Sequence, residues 1–222
     1  VERGEEAMSL QVYNTLGRRL EALEPMEAGH VRMYTCGPTV YDYAHIGNFR
    51  TYMFEDILRR YLRYRGYQVY QVMNLTDVED KIIRAAQSKG ISIYEYTEPY
   101  TEAFFEDLDT LRIQRAEVYP KATEHVDEMV DLVKKLRDKG YTYESDGSIY
   151  YRISDFVRYG ALSGITPDSV KVGARIDQDE YEKEDARDFV LWKGRKEGEN
   201  YWETELGEGP PGWHIECSAM SS

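Results

Sequence analysis

Between Val31 and Met73 the chain reads as a strand, a helix and a strand, and that pattern admits few folds. Val31 to Thr35 is a short β-rich run, Gly37-Pro38 breaks it, and a loop leads from Thr39 to a helix predicted to open near Asn48 and Phe49. Phe49, Met53, Ile57, Tyr61 and Tyr64 then recur at three- and four-residue steps with Leu58 and Leu62 alongside, and Gly66 closes the helix. Tyr67 to Met73 is β-rich again. A crossover of this length joins parallel strands and turns right-handed. Residues 31–73 therefore predict the first unit of an α/β, Rossmann-like parallel sheet.

The entrance to that helix is a place for an anion. The first backbone N–H groups of a helix have no partner within it, and the helix dipole favours negative charge there. Cys36 at the strand end and His45 just before the helix set a soft metal ligand and an imidazole beside this site. Together they suggest activation of a small substrate by a nucleotide.

The residues Cys36-Gly37-Pro38-Thr39-Val40-Tyr41-Asp42 and His45-Ile46-Gly47-Asn48 carry a resemblance. The second group is similar to the His-Ile-Gly-His signature of class I aminoacyl-tRNA synthetases, and the first resembles the cysteinyl-tRNA synthetase family in particular. The resemblance covers nearly all of residues 10–220 and corresponds to about half of such an enzyme. The chain departs from the signature at Asn48, which donates a hydrogen bond but cannot carry the charge of a histidine. The resemblance implies His45 and Asn48 as catalytic residues on the ATP phosphates, Thr39, His45, Gly47 and Asn48 as ATP-binding, and Gly37, Thr76 and Trp213 as cysteine-binding. It implies a zinc ion held by Cys36 and Cys217, with a histidine and a glutamate from a later His-His-Glu-Asn segment that does not occur before Ser222. Magnesium is implied as the partner of ATP.

The rest of the chain divides around this unit. Residues 1–9 read as a disordered leader and residues 10–114 as the first half of the nucleotide-binding domain. Leu10 to Leu20 is a short strand-and-turn pattern. Thr76 and Glu79 have capping-box spacing for a helix running to about Lys89 and stopped by Gly90. Thr76 is thus either a helix cap or a substrate contact. Thr97 to Leu111 and Thr123 to Lys139 are helical patterns, and Asp146-Gly147 between β-rich runs is a hairpin signal. Residues 171–187 read as an acidic, solvated connector, and Asp188 to Trp192 as a strand. Residues 115–205 resemble the α+β connective insertion that splits the class I catalytic fold, with Trp213-His214-Ile215-Glu216-Cys217 marking the return to it in residues 206–222.

Charge and cysteine usage exclude several classes. A net charge of −13 argues against a general nucleic-acid binder. RNA contact then needs a local basic patch, since screening acts over about 8–10 Å at ordinary salt. Arg50, Arg59, Arg60, Arg63 and Arg65 form the densest basic cluster, for which a solvated helix face is the alternative. No apolar run approaches the ~20 residues of a membrane span. Two distant cysteines make no disulfide framework, which fits a reduced, cytoplasmic setting. Spacing alone favours two unrelated buried thiols over a shared site.

The implied metal has a physical rationale. An apolar pocket separates an amino acid from its hydroxyl analogue by only about a hundredfold. Zinc binds thiolate well and alcohol poorly, and deprotonates a coordinated thiol. Trp213 reads either as a lid over the side chain or as a core aromatic. His214, three residues before Cys217, is spaced for ligation, but the resemblance implies a packing residue beside the site. The expected reaction is attack of the cysteine carboxylate on the ATP α-phosphate, then transfer of the cysteinyl group to tRNA(Cys). A monomer is expected. Because the Lys-Met-Ser-Lys-Ser loop and the anticodon-binding domain are not in the sequence, the chain by itself is expected to be inactive. The alternatives are an ATP-dependent ligase joining cysteine to an amino sugar, as in mycothiol synthesis, and a zinc- or nucleotide-binding module without turnover.

Overall fold

The computed structural model describes residues 10–164, 188–196 and 198–222. The leader read over 1–9 and the connector read over 171–187 lie outside the described residues. A hairpin of β1 (Gln11–Asn14) and β2 (Arg19–Ala22) precedes β3 (His30–Thr35), α1 (Ile46–Tyr64) and β4 (Gln68–Met73). β3 and β4 are parallel and in register from His30 opposite Gln68 to Thr35 opposite Met73. The strand–helix–strand reading is therefore correct to within one residue at each strand.

The sheet continues on both sides of the chain that leaves β4. Met73 N–H donates to Val118 O and Leu75 N–H to Pro120 O, so residues 118–121 run parallel to it as a further line. On the opposite side Thr76 N–H donates to Pro38 O and Val40 N–H to Thr76 O, each at 3.0 Å. Residues 74–76 are thus zipped between the loop after β3 and the segment at 120. This corrects the capping reading of Thr76: α2 (Asp80–Lys89) begins later, with Glu79 at its N-cap and no side-chain cap. Its end is as read, at Gly90 in the left-handed conformation.

α3 (Ile93–Thr110) begins four residues before the predicted Thr97. Ser92 and Glu95 form a reciprocal capping box there, worth about 1 kcal/mol. α3 packs on α1 through Phe104, which lies edge-on to Tyr52 at 5.5 Å and stacks near Phe49 at 6.5 Å. The buried face of α1 is Phe49, Tyr52, Asp56, Arg59 and Leu62. Of the predicted stripe, Met53, Ile57, Tyr61 and Tyr64 are exposed. Periodicity alone could not see that Asp56 and the terminal nitrogens of Arg59 find partners inside the fold. Asp56 accepts from Gln114 N–H, and Arg59 donates to the Gln114 and Arg115 carbonyls and pairs with Glu117.

Three of the five arginines of the basic cluster are drawn off for the same reason, while Arg50 stays exposed. Arg59 is buried, Arg60 pairs with Asp56, and Arg63 pairs with Glu117. These arginines tie α1 to residues 112–117 instead of presenting a patch.

Beyond residue 121 the fold is a helix against an antiparallel sheet. α4 (Val126–Asp138) is followed by β5 (Thr142–Ser145) and β6 (Ser148–Tyr151), and β7 (Phe189–Trp192) pairs with β6. The hairpin turn is the predicted Asp146-Gly147, both with positive φ (45° and 72°), as a two-residue turn of this hand requires. A short ribbon of β8 (Trp202–Thr204) and β9 (Gly207–Gly209) leads to α5 (Trp213–Met220). Lys193 N–H to Pro210 O and Gly212 N–H to Leu191 O pin residues 210–212 along β7. The pairing is antiparallel, so α5 starts beside Phe189 and Val190, at the beginning of β7. One core gathers Ile82, Ile83 and Ala86 of α2 with Met129 and Val133 of α4, Trp192 of β7, and Ile215 and Ala219 of α5. No described helix is long and apolar enough to cross a membrane.

Candidate active site

The strand end and the helix entrance are built by short-range capping. His45 is the N-cap of α1: its Nδ1 accepts from Gly47 N–H at 3.0 Å, and the Asn48 side-chain oxygen accepts from His45 N–H at 3.1 Å. The predicted helix start at Asn48–Phe49 moves back to Ile46 because this box closes over His45. A side chain at Gly47 would bring a Cβ to 2.8 Å from His45 Cε1, so only glycine lets the imidazole fold over the first turn. With Nδ1 engaged, the other ring nitrogen of the exposed His45 faces outward.

The loop between strand and helix is braced by α3. Tyr96 donates its hydroxyl to Tyr41 O at 3.0 Å, and Tyr100 stands edge-on to Tyr43 at 5.2 Å. Thr39 pairs with Thr76 across the zipper, which holds the start of the loop.

At the C-terminal end of β3, Gly37 passes against the end of β4. A Cβ on Gly37 would lie 1.9 Å from Asn74 O, a distance no side chain can occupy. Thr76 lies on the floor of this corner and is 2% exposed. Its Oγ1 accepts from Asn74 Nδ2 at 3.2 Å.

The two cysteines converge here from opposite ends of the sequence. Cys36 Sγ and Cys217 Sγ are 3.9 Å apart across 181 residues of chain. A disulfide needs about 2.05 Å, so both are free thiols. Two sulfurs at tetrahedral corners around zinc, with bonds of about 2.3 Å, lie about 3.8 Å apart. The pair matches that edge. Shared hydrogen bonding makes the thiols titrate together. The Cys217 thiol beside Cys36 lowers the pKa of Cys36, while the Cys36 sulfur and burial hold Cys217 up. Tyr52 and Glu55 of α1 sense the charge on Cys36, which puts the first turns of the signature helix beside the thiols.

Other candidates stay apart. Among the described residues no third His, Cys, Asp or Glu groups with the two sulfurs to hold a metal. The His214 ring instead packs on Phe189 at 4.5 Å. Trp213, at the first position of α5, is 57% exposed. The structure thus brings together Cys36, Gly37, Thr76 and Cys217, and adjoins Thr39, His45, Gly47 and Asn48 through one loop. The resemblance sets the segment Asn74-Leu75-Thr76-Asp77 at the edge of the cysteine pocket, while sequence reasoning gave the side chains of Tyr34 and Asn74 no role of their own. Tyr34 OH donates to Asn74 Oδ1 at 3.0 Å. A polar residue at a strand end is the sole trace they leave in the sequence, since their partners are remote in it.

A parallel strand–helix–strand unit, with a capped helix entrance and a thiol pair at the C-terminal ends of its strands, is the frame of a nucleotide-binding α/β catalytic domain. The chain belongs to the class I tRNA synthetases of the cysteine type: residues 22–222 match the family described as "tRNA synthetases class I (C) catalytic domain". It is 55% identical over 218 residues to the cysteine–tRNA ligase of Protochlamydia amoebophila, covering 96% of this chain and 46% of that protein. It is 55% identical over 214 residues to that of Solibacter usitatus, again covering 96% and 46%. Against the cysteine–tRNA ligase of Pyrococcus abyssi the identity is 48%, over 97% of this chain and 45% of the relative. The chain thus spans a little under half the length of these curated relatives.

Proposed function

We propose that this chain supplies the first part of the catalytic domain of an enzyme that activates cysteine with ATP and ligates it to tRNA(Cys). The observation that carries the reading is the approach of Cys36 Sγ to within 3.9 Å of Cys217 Sγ beside the His45 helix entrance. The thiol pair selects the sulfur of the amino acid, and the helix entrance receives the phosphates of the nucleotide.

Cys36 and Cys217 are the residues that would hold a zinc ion. When bound, zinc would supply a Lewis acid that prefers a thiolate to an alcohol and so separates cysteine from serine. The protein's own part is positioning and charge stabilisation. Gly37 brings the backbone close to the amino acid, the Thr76 hydroxyl forms the floor, and Trp213 folds over the open side. His45 and Asn48 stabilise the charge that develops on the phosphates, with Thr39 and the Gly47 backbone lining their path. The cysteine carboxylate attacks the α-phosphate, pyrophosphate leaves, and a terminal hydroxyl of tRNA then takes the cysteinyl group. No covalent bond to the protein forms. Magnesium accompanies ATP, and the protein acts in the cytoplasm as a monomer.

In this reading residues 115–205 are a connective insertion whose α4 and β7 share a core with α2 and α5. Residues 10–114 and 206–222 belong to the nucleotide-binding domain.

Cysteine-dependent ATP–pyrophosphate exchange tests the proposal. A protein carrying this chain at the full length of its relatives is expected to exchange with cysteine and at least ~100-fold less with serine. The 222-residue chain alone is expected to show no exchange. Exchange that is equal with serine would overturn the reading.

A further inference from the structure

A chain of net charge −13 needs a local group of cations to hold RNA. The arginines of α1 are engaged by Asp56 and Glu117. α2 carries such a group instead. Lys81, Arg84 and Lys89 are exposed on it, and none of the three is in a salt bridge among the described residues. Asp80, the acid of this helix, is drawn off by the buried Lys193. Glu79, half-buried at the N-cap, sets a single carboxylate against three cations.

Two of these cations sit on tyrosine rings that lead to the helix entrance. Lys81 Nζ stands 5.0 Å from the centre of the Tyr41 ring, and Lys89 Nζ 4.8 Å from that of Tyr96. A ring attracts an ammonium without the full charge of a carboxylate, so each lysine is held in place and keeps its positive charge. Tyr96 donates its hydroxyl to Tyr41 O, and its ring leans on Tyr100 at 5.5 Å. Tyr100 in turn stands edge-on to Tyr43 at 5.2 Å. Tyr43 is 67% exposed and lies two residues before His45. α2, α3 and the loop after Thr39 thus share one strip, cationic at one end and aromatic at the other, that ends beside the entrance to α1.

Cations followed by an open ring suit a nucleic-acid strand whose bases are unstacked. Such strands are held by positive charge along the phosphates and by aromatic faces on which bases stack. A double helix would bring phosphates to α2 but no free base face to Tyr43. Lys81 and Lys89 are about 12 Å apart along the helix axis, longer than the run of one triphosphate. We infer that Lys81, Arg84 and Lys89, with Tyr43, seat the unpaired end of the RNA that accepts the amino acid. This rests on the function proposed above and gives its RNA partner a surface.

The test uses a protein carrying this chain at the full length of its relatives, since pyrophosphate exchange needs no RNA and tRNA binding needs no ATP. One variant combines Lys81→Gln, Arg84→Gln and Lys89→Gln. It is expected to exchange pyrophosphate with cysteine as the parent does. Its tRNA(Cys) affinity falls less steeply with salt, the slope of log K against log salt being smaller by about 2 at ~0.7 per phosphate on a single strand. Tyr43→Ala weakens tRNA binding by about 5–150-fold, the loss of one stacked base, with the slope unchanged because the ring carries no charge. Tyr43→Phe keeps the face and binds as the parent. A triple variant with the parent's slope, or one that loses exchange along with tRNA binding and so belongs to the nucleotide, overturns the inference. So does a Tyr43→Ala protein that binds tRNA as the parent does. If the triple variant fails to fold, the three single substitutions decide, each with a slope change of ~0.7. A parent that does not exchange with cysteine overturns the function itself, and the RNA seat falls with it.

Discussion

Glu55 makes the sharpest stability test because one side of its carboxyl is sealed. It sits midway along α1, and Oε2 is buried with no hydrogen-bond partner. Burial holds its pKa up to about 7 from the ordinary 4.5, while a bond with the Thr35 hydroxyl pulls weakly the other way. The folded state thus prefers the protonated acid. Its stabilising contribution is complete below the unfolded value of about 4.3. It is lost as pH rises through about 7. At ~1.36 kcal/mol per pH unit the rise corresponds to about 3 kcal/mol, which the partial exposure of the side chain screens to roughly 1–2 kcal/mol. Glu55→Gln removes the charge and keeps the shape. The variant is expected to be more stable than the parent by that amount at about pH 8, or ~2–8 °C in Tm for a chain of this size. The gain shrinks to a few tenths of a kcal/mol near pH 4.5, where the parent's carboxyl is protonated in the folded state and about half protonated in the unfolded one. Urea unfolding of both proteins across this range measures the difference. A gain that does not vary with pH, or a parent more stable at pH 8, would refute the argument.

Three further outcomes are expected. In the metal-free protein Cys36 alkylates with a midpoint near pH 6, because the Cys217 thiol beside it favours its thiolate, and the rate reaches its plateau by neutral pH. Cys217→Ala moves that midpoint up toward the ordinary thiol value of about 8.5; an unmoved midpoint in a pH–rate series contradicts the pairing. Gly37→Ala forces a Cβ to 1.9 Å from Asn74 O, so β3 and β4 must part at their ends; a loss of about 2–4 kcal/mol in denaturant unfolding is expected, and a neutral substitution would show that the approach is looser. Phe104→Ala empties the contact between α3 and α1 and costs about 3–5 kcal/mol by the same measurement, with less than 1 kcal/mol counting against that packing.

The strand–helix–strand unit was legible because each of its signals is local. β-rich runs, a three- and four-residue apolar step, and a glycine stop are properties of neighbours in the chain, and they placed β3, α1 and β4 to within a residue or two. The signature residues were legible for a similar reason, since His45, Gly47 and Asn48 cap one helix turn among themselves. The inward face of α1 was not legible. Periodicity finds Phe49 and Leu62 but also favours Met53, Ile57 and Tyr61, whereas Asp56 and Arg59 are buried between them because residues 112–117 come back to partner them. Thr76 carries the spacing of a cap and is a rung between Pro38 and Val40 instead.

What the sequence determined by itself is therefore the chemistry on offer: a soft sulfur, an imidazole and an anion-seeking helix entrance, each set by residues adjacent in the chain. What only the tertiary structure decided is whether the two sulfurs meet, and what holds them when they do. Cys36 and Cys217 reach 3.9 Å because residues 210–212 run antiparallel along β7 and the shared core seats α5 against α2 and α4, which brings Cys217 back to the end of β3. Those contacts join residues from distant parts of the chain. A sequence specifies them only through the folded chain, since hydrogen bonds and packing act across a few ångströms of space, whatever the number of residues between the partners.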